Sequence, residues 1–124
     1  MKTSAITAVL PAQDLGRAKA FYSEKVGLEV TDGLVGLTVG DGANELFVYP
    51  AQGRSSGEFT QAVIQVTDVS ATVAPMRDRG VVFEEYNTPE IHTENGIAQT
   101  PDGGEAAWFK DSEGNLVGVV RALA

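Results

Sequence analysis

Ala107-Trp108-Phe109-Lys110-Asp111-Ser112-Glu113-Gly114-Asn115-Leu116-Val117-Gly118-Val119-Val120-Arg121 reads as strand, turn and strand. Aromatic and apolar residues run into Asp111, the Ser-Glu-Gly-Asn cluster supplies turn chemistry, and a β-branched run leaves it. That pattern predicts a hairpin with a four- or five-residue loop. A weaker copy lies upstream at Gly40-Asp41-Gly42-Ala43-Asn44-Glu45-Leu46-Phe47-Val48-Tyr49, which suggests a duplicated fold.

Working outward from the hairpin, the second copy begins at a strand in which Ala62, Ile64 and Val66 alternate with Gln61, Val63 and Gln65. Asp68 caps a helix that carries Val69, Val73 and Met76 inward and closes at Gly80, with Pro75 expected to kink or shorten it. Val81 to Tyr86 reads as a strand, and Thr88 to Ile97 as a loop with a strand emerging near Gly96. The first copy has the same order. Ile6 to Leu10 reads as a strand stopped by Pro11, and Asp14 caps a helix whose Leu15, Ala18, Tyr22 and Val26 form an apolar stripe widened by Phe21 and ended by Gly27. Three short strands follow, Leu28 to Thr31, Val35 to Val39 and Glu45 to Tyr49, separated by the turn dipeptides Asp32-Gly33 and Asp41-Gly42.

The two capping aspartates, Asp14 and Asp68, are 54 residues apart. The expected fold is therefore α+β, with two tandem βαβββ modules. The first module spans about residues 1–50 and the second about 60–124, joined by an exposed linker at about 51–59 that is rich in Gly, Ser and Gln. At 124 residues and 43% hydrophobic content, the chain has the size of one compact domain.

Composition narrows the partners. A formal net charge of -8 opposes binding to nucleic acid or anionic membranes and favours a cationic partner. No apolar run approaches the roughly 20 residues of a membrane span, and no basic head with an apolar core opens the sequence, so a cytoplasmic location is expected. With no cysteine, thiolate metal sites, disulfides and cysteine nucleophiles are all excluded. The serines lack a companion histidine near a nucleophile elbow, and Gly36 to Gly42 has no lysine to meet a phosphate.

Two βαβββ units with matching capping aspartates resemble the vicinal oxygen chelate superfamily, the group of glyoxalases, bleomycin-resistance proteins and extradiol dioxygenases. The resemblance rests on Leu10-Pro11-Ala12-Gln13-Asp14-Leu15 with Phe21-Tyr22, on Val26-Gly27-Leu28-Glu29-Val30, and on Phe109-Lys110-Asp111-Ser112-Glu113-Gly114-Asn115. It implies paired modules whose curved mixed sheet surrounds a cleft, with the helices outside, commonly assembled as a homodimer. In metal-using members it also implies ligands on the first and last strand of each module. Carried over to this chain, the first-strand positions are Thr7 and Gln61, and the last-strand positions are Phe47 and Gly118. None is a good ligand.

The residues themselves point the same way. Catalytic metals need several side-chain donors converging on the ion, most often imidazole, and His92 is the single histidine, in a loop away from those strands. No cofactor is expected, a divalent metal is disfavoured, and no residue is assigned as catalytic. The expected site is a ligand cleft formed by Thr7, Glu45, Phe47, Tyr49, Gln61, Val63, Trp108 and Gly118, a mixture of apolar wall and hydrogen-bonding groups suited to a small organic molecule. The resulting expectation is a protein that sequesters an organic or antibiotic ligand without transforming it. Its alternative is a lyase or dioxygenase with an atypical or metal-free site, relying on Glu45 with Tyr49, or on Glu45, Gln61 and His92.

Overall fold

The computed structural model describes residues 1–42 and 44–121. Ala43 in the upstream hairpin copy and residues 122–124 of the second module lie outside the described residues. The chain runs β1 (Val9–Ala12), α1 (Leu15–Ala20), a π-helical continuation (Phe21–Val26), β2 (Val30–Asp32), β3 (Leu37–Asp41) and β4 (Asn44–Pro50). The second half runs β5 (Thr60–Gln65), α2 (Val69–Asp78), β6 (Thr93–Glu94), β7 (Ile97–Gln99), β8 (Glu105–Lys110) and β9 (Leu116–Arg121). The fold is α+β, with two βαβββ-type modules and one mixed sheet for each, ordered β1-β4-β3-β2 and β5-β9-β8-β7-β6. Among the described residues no helix is long and apolar enough to cross a membrane.

Both helices start where their capping residues require. The Asp14 side chain accepts the amide of Arg17 at 2.9 Å, and Asp68 accepts that of Ala71 at 3.0 Å. Each satisfies a first-turn N–H that has no partner within the helix. In the first module the last turn widens, with the Gly27 amide reaching back five residues to the Tyr22 carbonyl at 3.0 Å. Pro75 sits in the closing part of α2, which continues to Asp78.

Three expectations change. Pro11 does not stop β1 but lies inside it, opposite Tyr49 of β4. A proline is tolerated there because β1 is the edge of its sheet. Ile6, expected to open the first strand, is 94% exposed and precedes it, so the covered positions begin at Leu10. Val81 to Tyr86 forms no continuous strand and pairs with β8 only as an isolated bridge between Phe83 and Phe109. Phe83 serves instead as an aromatic wedge, with its ring 5.7 Å from that of Phe109 in an edge-on contact.

One apolar cluster spans both modules, joining Leu10, Tyr22, Val39 and Val48 to Val73, Phe109, Val117 and Val119. The seam is closed by the β8–β9 turn. Lys110 pairs with Leu116, so Asp111 to Asn115 form a five-residue loop, within the range expected. The Asp111 Oδ1 accepts the amides of Glu113 and Asn115 at 2.8 and 2.9 Å, which folds the loop over its own carboxylate. Gly114 adopts φ +84°, and a Cβ there would meet the Ser55 carbonyl at 2.6 Å, so the position admits glycine alone without rearrangement.

Of the four buried polar or charged side chains among the described residues, three belong to this turn: Asp111, Glu113 and Asn115. All three reach outside it. Glu113 accepts the amides of Gln13 and Asp14 at 2.9 and 3.0 Å and is forked by Arg17 at 2.7 and 2.9 Å. Tyr22 donates to Asp111 Oδ2 at 2.6 Å, and Asn115 Nδ2 donates to the Pro11 carbonyl at 2.9 Å. Second-module side chains thereby satisfy the backbone at the entrance to α1. The linker is also pinned here: Arg54 donates to the Ser112 carbonyl and Ser55 to Asn115 Oδ1, so it crosses the seam as a strap.

The Arg17 hydrogen bonds, and after them the Asp14 amide and the Ser112 hydroxyl, hold the Glu113 carboxyl at about 2, against burial, which pushes it upward. A carboxyl held below its unfolded value contributes stability that is complete above about pH 4.5 and is lost as pH falls towards 2. Because Arg17 is half-exposed and solvent screens the pair, the contribution is about 1–2 kcal/mol. Urea unfolding across pH 2 to 6 is expected to show this loss in the native protein. Glu113→Gln should be less stable at pH 6 and should lack that part of the acid dependence.

Candidate functional site

The strand register places comparable positions of the two modules. In the first, Val9 of β1 faces Phe47 of β4, and Phe47 faces Thr38 of β3. In the second, Val63 of β5 faces Gly118 of β9, and Gly118 faces Trp108 of β8. Both first pairs are parallel, and Val9 and Val63 share the 54-residue offset of the capping aspartates. Phe47 and Gly118 are thus structural equivalents, a bulky ring in one sheet and a bare backbone in the other.

On the first sheet a cavity of 340 Å³ is lined by Thr7, Val9, Thr38, Glu45, Leu46 and Phe47. The structure therefore brings together Thr7, Glu45 and Phe47 of the expected set. Val9, Thr38 and Leu46 lie outside that set. Thr38 was detectable in principle, since it faces Phe47 across the ladder, but that required the β3–β4 register in addition to the strand pattern. Tyr49 lies on the same strand as Glu45 and Phe47 and is 39% exposed, outside the cavity lining.

The second sheet groups Val63, Gly118 and Trp108. Trp108 is half-buried, meets Tyr86 edge-on at 5.4 Å, and lies beside the Cα of Gly118, where an added Cβ would find the indole at 3.5 Å. Val63 is 51% exposed. None of these residues lines the cavity of the first sheet.

Gln61 departs from the expected cleft. The pairing of β5 with β9 slips between Thr60 and Ala62, so Gln61 is an extra residue in a β-bulge. Its side chain turns to the hairpin loop, where Nε2 donates to Asn115 Oδ1 at 3.0 Å and Oε1 accepts the Leu116 amide at 3.1 Å. It lines a separate depression of 160 Å³ beside the linker, with Ser55 to Phe59.

A divalent metal finds no suitable set of donors in these positions. They supply a threonine hydroxyl, a phenyl ring, an amide already engaged in hydrogen bonds, and a glycine. Among the described residues no three His, Asp or Glu side chains are grouped so as to hold an ion. His92 is exposed, with Nδ1 3.1 Å from Asn87 Oδ1 and Nε2 3.5 Å from Glu94. Glu45 is the one charged side chain in the cavity lining.

With this geometry established, the relationship to known proteins is direct. The chain belongs to the Glyoxalase/Bleomycin resistance protein/Dioxygenase superfamily, whose model matches residues 5–119. Among solved structures it resembles a bleomycin resistance determinant encoded on transposon Tn5, with TM-score 0.74 and 19% identity over 98% of this chain and 100% of that one. It also resembles a bleomycin-binding protein complexed with bleomycin, with TM-score 0.72 and 20% identity over 96% of this chain and 98% of that one. Lactoylglutathione lyase from Agrobacterium tumefaciens is similar too, with TM-score 0.68 and 22% identity over 98% and 96% of the two chains. At these identities the likeness establishes the shared fold. No curated protein matches the sequence.

The room beside Gly118 is testable. An added Cβ meets Trp108 and Val120 only at ordinary contact distances of 3.5–3.6 Å. Gly118→Ala should therefore fold normally and gain about 0.5–1 kcal/mol from the lower backbone entropy of alanine. Urea midpoints measure the gain; a loss of stability would show that the position is tighter than its geometry.

Proposed function

We propose that this protein binds a small organic molecule in the cavity of the first sheet and sequesters it without chemical change. The observation that carries the reading is the lining itself. Apolar wall from Val9 and Phe47 is combined with the hydroxyls of Thr7 and Thr38 and one carboxylate, and no metal-ligand set stands among them. Bleomycin binding and resistance in proteins of the same fold support an antibiotic-like guest. The proposed setting is cytoplasmic.

A homodimer completes the proposal. The edge strands β1 and β5 each have one strand neighbour, and Val9 and Val63, on these edges, are 54% and 51% exposed. Unpaired edges and exposed apolar faces are surfaces that a second copy would cover, and one subunit's Val63, Gly118 and Trp108 would then close over the partner cavity. The competing reading is metal-free catalysis. It is favoured by one observation, a carboxylate at Glu45 with no ion-pair or hydrogen-bond partner among the described residues, and it requires Tyr49 as the second group.

Native mass spectrometry and thermal shift with bleomycin and a panel of organic molecules test the binding reading. A ligand recovered unchanged after incubation supports sequestration, whereas turnover without added metal supports catalysis. Phe47→Ala is expected to weaken binding about tenfold, or ~1.4 kcal/mol. Unchanged affinity in that variant would place the ligand elsewhere. Sedimentation should show a dimer, and monomer alone at working concentration would refute the assembly.

A further inference from the structure

We infer that Glu45 is a cation-recognition residue and that the guest is an organic cation, an ammonium or amidinium group joined to an apolar body; this rests on the binding reading above. In β4, Glu45 stands two residues from Phe47 and shares its face of the strand, and both line the cavity. Its cross-strand partner is Gly40. That residue has φ +110°, and a Cβ there would meet the Asn44 carbonyl oxygen at 1.9 Å. The backbone therefore forbids any side chain at the position from which a lysine or arginine would neutralise Glu45. Thr7, two residues ahead of β1, lines the same cavity. Thr7 offers a hydroxyl and no charge.

The carboxylate is consequently left without a counter-ion by the architecture. The four ion pairs formed by Arg17, Lys19, Lys110 and Arg121 among the described residues, and the His92–Glu94 contact, all leave Glu45 aside. The Thr7 and Thr38 hydroxyls also have no protein partner among the described residues. A primary ammonium carries three N–H donors, and the cavity offers acceptors of the matching kind: one carboxylate and two hydroxyls. The Phe47 ring adds a π-face that attracts a cation. An anionic guest meets Glu45 and the net charge of -8 with nothing to offset them.

The apolar body is required by the same physics. An exposed pair in open water gains little, but a guest that covers Val9 and Phe47 removes water from around the pair and strengthens it. A bare inorganic cation meets one carboxylate and has no body to cover the wall, so it is a poor guest.

Three probes with one fluorophore isolate the charge: dansylcadaverine, with a terminal ammonium; dansylamide, neutral; and dansylglycine, with a carboxylate. Fluorescence titration of the full chain is expected to give dansylcadaverine about three- to tenfold tighter binding than dansylamide, with dansylglycine weakest. The cation preference should fall to within about twofold in Glu45→Gln, and towards zero in the native protein as salt rises to about 0.5 M. Glu45→Lys should invert the order in favour of dansylglycine. Equal binding of the three probes, or a cation preference that persists in Glu45→Gln, overturns the inference; the cavity reading still stands if Phe47→Ala weakens all three alike. Binding of none of the probes overturns both.

Discussion

The Glu113 carboxylate, 1% exposed, sits in the second module and is solvated almost wholly by the first. Two backbone amides and a guanidinium replace the water it loses. The exchange is favourable only when every lone pair is met, because a buried carboxylate missing a donor retains its desolvation cost without compensation. The chain meets this demand in full: among the described residues no buried side-chain nitrogen or oxygen lacks a partner. The same bonds terminate the free N–H groups ahead of α1, so the start of one module's helix depends on a turn about one hundred residues later in the chain. Tyr22 and Asp111 repeat the logic more deeply. Burial first, and then the Asp111 charge, pushes the Tyr22 hydroxyl far above its ordinary range, so it stays protonated and donates.

This clasp accounts for the placement of the cavity face. It draws Phe109, Phe21 and Tyr22 into one aromatic seam, with Phe21 and Phe109 rings 6.0 Å apart, and commits that side of both sheets to the core. The opposite sides stay open. Where two modules repeat the same backbone register, the different side chains at the equivalent positions decide what the face can do. Phe47 gives the first sheet a wall, and Gly118 gives the second sheet room beside the Trp108 indole.

Much of the fold was legible because its signals are local. Asp14 and Asp68 announce helices through hydrogen bonds spanning three residues, Gly27 marks a helix exit through its left-handed φ of 89°, and the β8–β9 hairpin closes on neighbours in sequence. The misjudged elements depend on distant partners. Pro11 reads as a strand stop until β1 is known to be a sheet edge, and Val81 to Tyr86 has strand composition but meets only one bridge partner. In the site, strand alternation was enough to group Glu45 with Phe47. It failed at Gln61, where a one-residue bulge redirects the side chain to Asn115, and no feature of Thr60-Gln61-Ala62 marks a bulge. Glu113 was equally hidden. As a turn residue between Ser112 and Gly114 it suggests a solvated charge, and its partner Arg17 lies 96 residues away.

The central claim is that the Asp111 to Asn115 turn makes the two modules one cooperative unit. Native-state hydrogen exchange on Glu113→Ala tests it most directly, by following the slowest amides of β3 and β4 together with those of β8 and β9. Loss of protection by the same free energy in both sheets is the predicted result. Native-like protection in β3 and β4, with loss confined to β8 and β9, would contradict it.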